Sequence, residues 1–576
     1  MVKRIKSVRE LDFTPRGEVF PSPNDWRDTF IYFLLVDRFD NNQEDLSPYH
    51  PDAVTQPRDP EQGKAFQGGN LSGILRRLDY IKGLGANCIW LSPVLKNRQE
   101  KNDSYHGYGI QNFLEVDHRF GTKEDLQKLV REAHARGIYV ILDIIINHTG
   151  DNWAYPDDHS YYYWKEASGP FEFGFWREVN PEQGLQEDDA VWPEELQFPE
   201  RYKRRGEIID WSDPDQAING DFLSLKELDI SQPKVLDTLI KVYKYWIAIT
   251  DVDGFRVDAV KHMESSATAI FCNAVREYAK RIGKHNFLIF GEIVGDDSTI
   301  RQYIGRNSRI QGTTERFPSL NAALDFPLYF VLEEVIKGFL NPFHLRERYE
   351  RFKMQYADHG EAGRYFVTFV DNHDQMSRTY RRFLHQNPFP RQAVLAIGYL
   401  LTSQGLPCIY YGTEQGFDGG GKDDSYVREC MFGGTWGAFD SQGFHFFNQN
   451  HPTYQGIARI AAIRKVEPAL RYGRQYFREI SGNGIDFGHP LNGKTTLAYS
   501  RILDTTEILV AMNLDSIPRN DFVTVDVNLN SPKQKLINLL KPDKHVVVNQ
   551  RGARHVVRVP LDGHEMAIFK NDGTGH

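Results

Sequence analysis

Eight short apolar runs, each closed by polar or turn residues and separated by stretches of helical periodicity, occupy the first 415 residues. They lie at 31–36, 88–91, 139–145, 254–257, 287–290, 322–326, 365–370 and 407–411. Runs that are apolar on both faces suit strands covered outside by helices, and strands alternating with helices form a parallel sheet. Eight such units predict an α/β fold, a closed (β/α)8 TIM barrel. Between the runs, the 3.6-residue pattern predicts helices over 123–136, 233–248 and 391–403, each ending near a glycine or a turn.

One interval breaks the rhythm. Asp143 and Asp258, near the ends of the third and fourth runs, stand 115 positions apart, whereas Asp258 and Glu292 stand 34 apart, the length of one strand-helix-strand unit. The excess of about 75 to 80 residues predicts a subdomain inserted after strand three, residues 149–230, lying over the barrel mouth. Its aromatic residues Trp153, Tyr155, Tyr161, Tyr162, Tyr163, Trp164, Phe171, Phe173, Phe175 and Trp176 serve either a ligand groove or the insert's own core. A small domain's need for apolar filling favours core for most of them. Past residue 472 the helical period gives way to alternation at 496–501, 507–513, 522–527, 555–559 and 565–569, which predicts a C-terminal antiparallel β-sandwich over 472–576. The barrel then comprises 1–148 and 231–471, with 1–28 as an N-terminal extension.

Charge and composition narrow the function. Lys plus Arg number 69 against 78 Asp plus Glu, a net charge of −9, so no global field favours nucleic acid or an anionic membrane. No stretch of about eighteen apolar residues reads as a membrane span, and the basic start MVKRIK is followed by no apolar signal core. Four scattered cysteines without a Cys-x-x-Cys pair encode neither a disulfide framework nor a zinc ribbon, and fit a cytoplasmic protein. The aromatic fraction of 13% exceeds what core packing alone asks for, and flat ligand-stacking surfaces are one explanation.

In a barrel of this kind polar residues just past each strand form the active face. Strand three ends in Asp143-Ile-Ile-Ile-Asn147-His148, strand four in Gly254-Phe-Arg256-Val-Asp258-Ala-Val-Lys261-His262, strand five in Phe290-Gly-Glu292, and strand seven in Phe369-Val-Asp371-Asn372-His373-Asp374. Three carboxylates beside an arginine and two histidines supply what glycosidic cleavage requires: a nucleophile, a proton donor and a stabiliser of an oxocarbenium-like transition state. Arg256, two residues before Asp258 on the same strand face, is expected to hold Asp258 ionised. Glu292 has no basic neighbour in its own motif, so its pKa is expected to rise into the proton-donating range.

These four segments, in order and on the expected strands, resemble the signature regions of the α-amylase family, glycoside hydrolase family thirteen. Phe66-Gln-Gly-Gly-Asn-Leu71, Tyr105-His-Gly-Tyr108 and Gly405-Leu-Pro-Cys-Ile-Tyr-Tyr-Gly412 are similar to further family motifs. The resemblance implies Asp258 as nucleophile, Glu292 as general acid/base and Asp374 as the third carboxylate. It implies Tyr105 stacked on the sugar, His148 and His373 on its hydroxyls, and Lys261 and His262 on the acceptor side, with Arg256 alongside. It implies a retaining hydrolase of α-1,4-linked glucans or maltooligosaccharides, with glucanotransferase and non-catalytic carbohydrate-binding relatives as alternatives. Ala259, where relatives also carry Val, tilts the resemblance to α-1,4 bonds, while residues 223–229 depart from the family's common pattern. No cofactor is required for the chemistry.

Asp143 is expected to hold Arg256 in place. Asn147 resembles a structural calcium ligand, with a hydrogen bond tying the insert to the barrel as the equal alternative. Asp40-Asn41-Asn42 suggests an oxygen-rich cation loop or an Asx turn.

Overall fold

The structure is a computed structural model that describes residues 4–43, 62–98, 104–164, 169–183, 185–305, 308–309, 316–356, 362–375, 378–432 and 445–571. All eight apolar runs become barrel strands: β1 (Ile31–Leu34), β2 (Cys88–Leu91), β3 (Tyr139–Ile144), β4 (Gly254–Val257), β5 (Leu288–Gly291), β6 (Ala322–Leu324), β7 (Phe366–Thr368) and β8 (Leu406–Tyr410). They close in the order β1-β8-β7-β6-β5-β4-β3-β2, every pair parallel. The helices Lys123–Ala135, Pro233–Thr250 and Arg391–Thr402 fall where the periodicity puts them. The run 322–326 ends early for a local reason. Asp325 caps the helix Phe326–Ile336, its carboxylate accepting from the Leu328 N–H, so the chain turns helical where the run had extended it.

Inside the barrel, large rings fill the space beneath the active face. Phe33 stacks on Trp90 with centroids 3.7 Å apart, and Trp90 meets Phe290 edge-on at 5.4 Å. This floor is buried. The strand register also fixes the polar layer above it, because Arg256 on β4 pairs with Asp143 on β3 and with Phe290 on β5.

The excursion between β3 and β4 has little regular structure, and its start is laced to its end. His148–Thr149 pairs antiparallel with Lys226–Glu227, putting His148 opposite Glu227. Of its aromatics, Trp153 and Tyr155 are fully buried, Tyr162, Phe171, Phe173 and Trp176 pack half-buried against the core, and Tyr161, Tyr163 and Phe175 are exposed. Core formation therefore claims most of them.

From Arg474 onward the chain forms two antiparallel sheets, one of six strands and one of four. Residues such as Leu509, Val523, Val557 and Phe569 fill the space between them, the packing of a β-sandwich. Strands Lys535–Asn538 and His545–Val547 carry no alternation long enough to read from sequence. The other face of the six-stranded sheet packs on the barrel helices, Met566 and Tyr499 joining the main core. Arg501 fastens this contact. Fully buried, it donates to the carbonyls of Thr402 (2.7 Å), Leu470 (2.8 Å) and Gly473 (2.8 Å), and burial lowers its pKa to about 10. Replacing it removes the side-chain donor to the Thr402 carbonyl and leaves Leu470 to Arg464 and Gly473 to Gln404. Arg501→Met is predicted to cost about 2–5 kcal/mol, read as a fall of several degrees in the apparent Tm; an unchanged Tm would show that the joint does not depend on it.

Candidate active site

The C-terminal ends of β3, β4 and β5 deliver the acidic side chains. Peptide bonds continue the ladder one residue past each strand, Asp258 N–H to Ile144 O at 3.0 Å and Glu292 N–H to Val257 O at 2.9 Å. Both carboxylates are thereby held at one level. Ala259 then turns left-handed (φ 50°), a conformation a β-branched residue resists, and its N–H donates to Glu292 Oε2 at 3.2 Å. A small residue here thus has a local physical reason.

At the centre is Arg256, 1% exposed. Its Nη1 donates to Asp143 Oδ1 (2.8 Å) and Asp258 Oδ1 (2.7 Å), and its Nη2 pairs with Glu292 Oε2 (3.0 Å). Asp143 thus does hold Arg256, helped by Trp90 Nε1–H (3.1 Å) and the Tyr108 hydroxyl (3.0 Å), which both donate to its Oδ2. The guanidinium does not serve Asp258 alone, however. Because β4 and β5 are neighbours, it reaches Glu292 as well, a basic partner from outside Glu292's own motif.

Burial raises the pKa of Asp258, of Glu292 and of Asp143, the last to about 7, while Arg256 opposes the rise in each. For Asp258 burial outweighs the arginine, a correction to what its motif predicts. What distinguishes the two is the hydrogen bond between them, which lowers Asp258 and raises Glu292. The charge of Asp374 also reaches Asp258 and raises it. Among the described residues Asp258 and Glu292 keep 12% and 15% of their side-chain surface open, enough for a substrate to touch.

The histidines around this group are neutral. Burial, first, drives His106 and His148 down to about 3 and His373 well below its usual value, with Arg428 and Arg256 adding to it for His373. His373 Nε2 lies 2.7 Å from the Tyr108 hydroxyl, and the His148 ring stacks near Phe222. His262 binds the Ala217 carbonyl through Nδ1 at 2.7 Å, edge-on to Trp211 and Phe222, while Lys261 stands half-buried on the turn Val260–His262.

Tyr105 is placed differently from expectation. It is 4% exposed, the Arg38 guanidinium covers its ring at 3.8 Å, and its hydroxyl accepts from Arg428 at 3.2 Å. Tyr108, three residues on, is the tyrosine against the carboxylates. The turn between them needs glycine: Gly107 has φ 87°, and a Cβ there would sit 2.2 Å from the Pro93 carbonyl oxygen. His106 and Tyr108 were missed although the quoted motif contains both, because only the fold shows which of its rings turns inward.

Neither proposed cation locus has the character of one. Asp40 accepts from Arg76 (2.8 Å), Arg77 (2.7 Å) and the Asn42 N–H (2.7 Å), an Asx turn locked by two guanidinium groups. Asn147 donates its side-chain amide N–H to Glu227 Oε2 at 2.7 Å and accepts from Leu228 N–H through its main-chain carbonyl, the tie between insert and barrel. The Lys203 ammonium already occupies that cluster, so the residues there do not fit a calcium ion.

A parallel eight-stranded barrel with carboxylates gathered on a single guanidinium at the strand ends belongs to the class of barrel proteins that act at their C-terminal face. Within that class the chain belongs to the α-amylase family. The family model described as Alpha amylase, catalytic domain, matches residues 33–435. The chain is 30% identical over 491 residues to an alpha-amylase of Streptomyces lividans, covering 77% of this chain and 52% of that protein. It is 30% identical over 520 residues to a beta/alpha-amylase of Paenibacillus polymyxa, covering 88% and 36%. It thus spans about a third to a half of these relatives' length. A cyclomaltodextrin glucanotransferase of Klebsiella oxytoca is 26% identical over 479 residues, covering 78% of this chain and 66% of that protein. Among solved structures, the alpha-amylase of Geobacillus thermoleovorans complexed with acarbose superposes with a TM-score of 0.68 at 25% identity, covering 96% of this chain and all of that one.

The raised carboxyl groups carry a pH dependence. Their folded pKa values exceed the unfolded ones, so the folded protein binds more protons between about pH 4 and the raised values. That contribution to stability is full below the unfolded values and is lost as pH rises through the folded ones, near 7 for Asp143. Asp143→Asn is predicted to flatten the fall in Tm between about pH 5 and about pH 7.5 relative to the wild type. Equal slopes in paired thermal scans would contradict the assignment.

Proposed function

We propose that the chain is a retaining glycoside hydrolase that cleaves α-1,4-glucosidic bonds in starch-like glucans or maltooligosaccharides by double displacement. The observation that carries this reading is Arg256 holding Asp258 and Glu292 on adjacent nitrogens of one guanidinium. Two carboxyl groups so close leave no room for a water between nucleophile and sugar. That favours the spacing of about 5–5.5 Å used for retention over the 6.5–9.5 Å of inversion.

In this mechanism Glu292 protonates the glycosidic oxygen as Asp258 attacks the anomeric carbon from the opposite face. The C–O bond to the leaving glucan breaks, and an ester to Asp258 forms. Glu292, now ionised, takes a proton from water as the water oxygen attacks the same carbon, releasing the sugar with its starting configuration. Asp374 accepts from ring hydroxyls and favours the distorted ring. His148, being neutral, donates to a hydroxyl without repelling the positive charge that grows on the sugar, and His373, whose Nε2–H is spent on the Tyr108 hydroxyl, offers Nδ1 as an acceptor. Tyr108 rather than Tyr105 offers the ring at the cleavage point. Four buried free cysteines support a reducing, cytoplasmic location.

A second reading is supported by one feature. Trp211 and Phe222 stand beside His262, and such an aromatic acceptor side favours a sugar hydroxyl over water as the attacking group. Product sizing on maltooligosaccharides separates the two: products longer than the substrate mark transfer, and reducing ends without them mark hydrolysis.

Asp258→Asn and Glu292→Gln are each predicted to lower kcat by about three or more orders of magnitude with circular dichroism unchanged. Proton NMR of the first-formed product should show the α-anomer. A near-native rate in either variant, or a β-anomer, would contradict the mechanism.

A further inference from the structure

The cluster behind Asn147 gathers oxygen atoms from four separate stretches of chain. Glu227, 1% exposed, comes from the outgoing edge of the insert, and Asn147 from the segment after β3; they are joined by the 2.7 Å amide bond. The Ile218 carbonyl comes from the helix Pro214–Asn219, and Glu264 precedes the helix Ser265–Arg281. Into this group points Lys203, whose side chain is 6% exposed. Its ammonium donates to Ile218 O at 2.5 Å and to Glu264 Oε1 at 3.0 Å, and lies 3.8 Å from Glu227 Oε1. Its own peptide N–H donates to the Glu227 carbonyl at 3.1 Å.

A carbonyl, two carboxylates and an amide side chain converging from distant segments is the donor set of a hard cation. Here the positive charge is covalently attached. Two details speak against a divalent ion in the same space. Calcium requires six to eight oxygens at about 2.3–2.6 Å, and an ammonium nitrogen already takes the Ile218 carbonyl. Asn147 also turns its amide N–H, not its oxygen, to the carboxylate. A buried carboxylate beside a half-buried one without a cation would be unfavourable, and the structure supplies the positive charge from the chain.

We propose that Lys203 is a built-in cation: its ammonium joins the insert to the barrel rim at the place where the family resemblance implies calcium, and the fold needs no divalent ion there. The consequence reaches the substrate side. Glu227 lies opposite His148 in the antiparallel pair, and Ala217, next to Ile218, holds His262. Lys203 is therefore a positioning residue for both histidines, acting through Glu227 and through the Pro214–Asn219 helix.

The test compares the wild type with Lys203→Ala and Lys203→Met by thermal unfolding, with excess chelator and with millimolar calcium. Wild-type Tm should not move with either addition, and metal analysis after dialysis against calcium should find none retained. Lys203→Ala should lose several degrees of Tm and raise KM more than it lowers kcat. Millimolar calcium should restore part of both, since it can enter the vacated oxygen set, whereas magnesium, which demands shorter and more regular coordination, should restore less. Lys203→Met, which fills the space without charge, should lose Tm but respond less to calcium. If Lys203→Ala does not fold, the wild-type chelation and metal analysis still decide. A wild-type protein that retains one calcium per chain and loses Tm on chelation would overturn the proposal. So would a Lys203→Ala protein with wild-type Tm and KM.

Discussion

One guanidinium organises this protein's working end. Arg256 lies within 3.0 Å of three carboxylates, and a single positive charge cannot neutralise three negative ones in a buried site. The group therefore binds protons more readily than isolated carboxyls do, the direction found for Asp143, Asp258 and Glu292. In the proposed mechanism acid catalysis draws on that tendency, and the division of labour between Asp258 and Glu292 arises within one shared charge layer rather than from two separate environments.

That arrangement rests on barrel closure. Arg256 meets Asp143 because β4 pairs with β3 in one register, and a slip by one residue would turn it outward. Below the ions, Phe33, Trp90 and Phe290 exclude water and keep the charges strongly coupled. Above them, the insert is laced back to the barrel at His148 and Glu227, so this roof and the position of His148 are set by the same pairing. Floor, charge layer and roof share residues, and a change in any one is felt in the others.

Much of this was legible in the sequence. Apolar runs located all eight strands because strands buried on both faces leave no polar alternation to blur them, and the interval between Asp143 and Asp258 revealed the insert by length alone. Motif order brought Asp258, Glu292 and Asp374 together. What sequence could not give was lateral adjacency. That Arg256 reaches Glu292 depends on β5 lying beside β4, and that Tyr108 rather than Tyr105 turns inward depends on a left-handed glycine at 107. Lys203 was invisible for the same reason: an isolated lysine in an irregular insert carries no pattern, and its meaning appears only when Ile218, Glu227 and Glu264 surround it. Asn147, by contrast, stood in a motif that drew attention to calcium and away from the amide bond it makes.

The most direct measurement of the central claim is to find the atom that the sugar is attached to. Glu292→Gln protein, which lacks the acid and base, would be incubated with a fluorinated α-glucosyl fluoride, whose leaving group needs no proton, then digested and its peptides weighed. The account predicts one glycosyl unit, in ester linkage, on the peptide carrying Asp258. A label on any other residue, or no label from a protein that turns over the same compound with inversion, would contradict it.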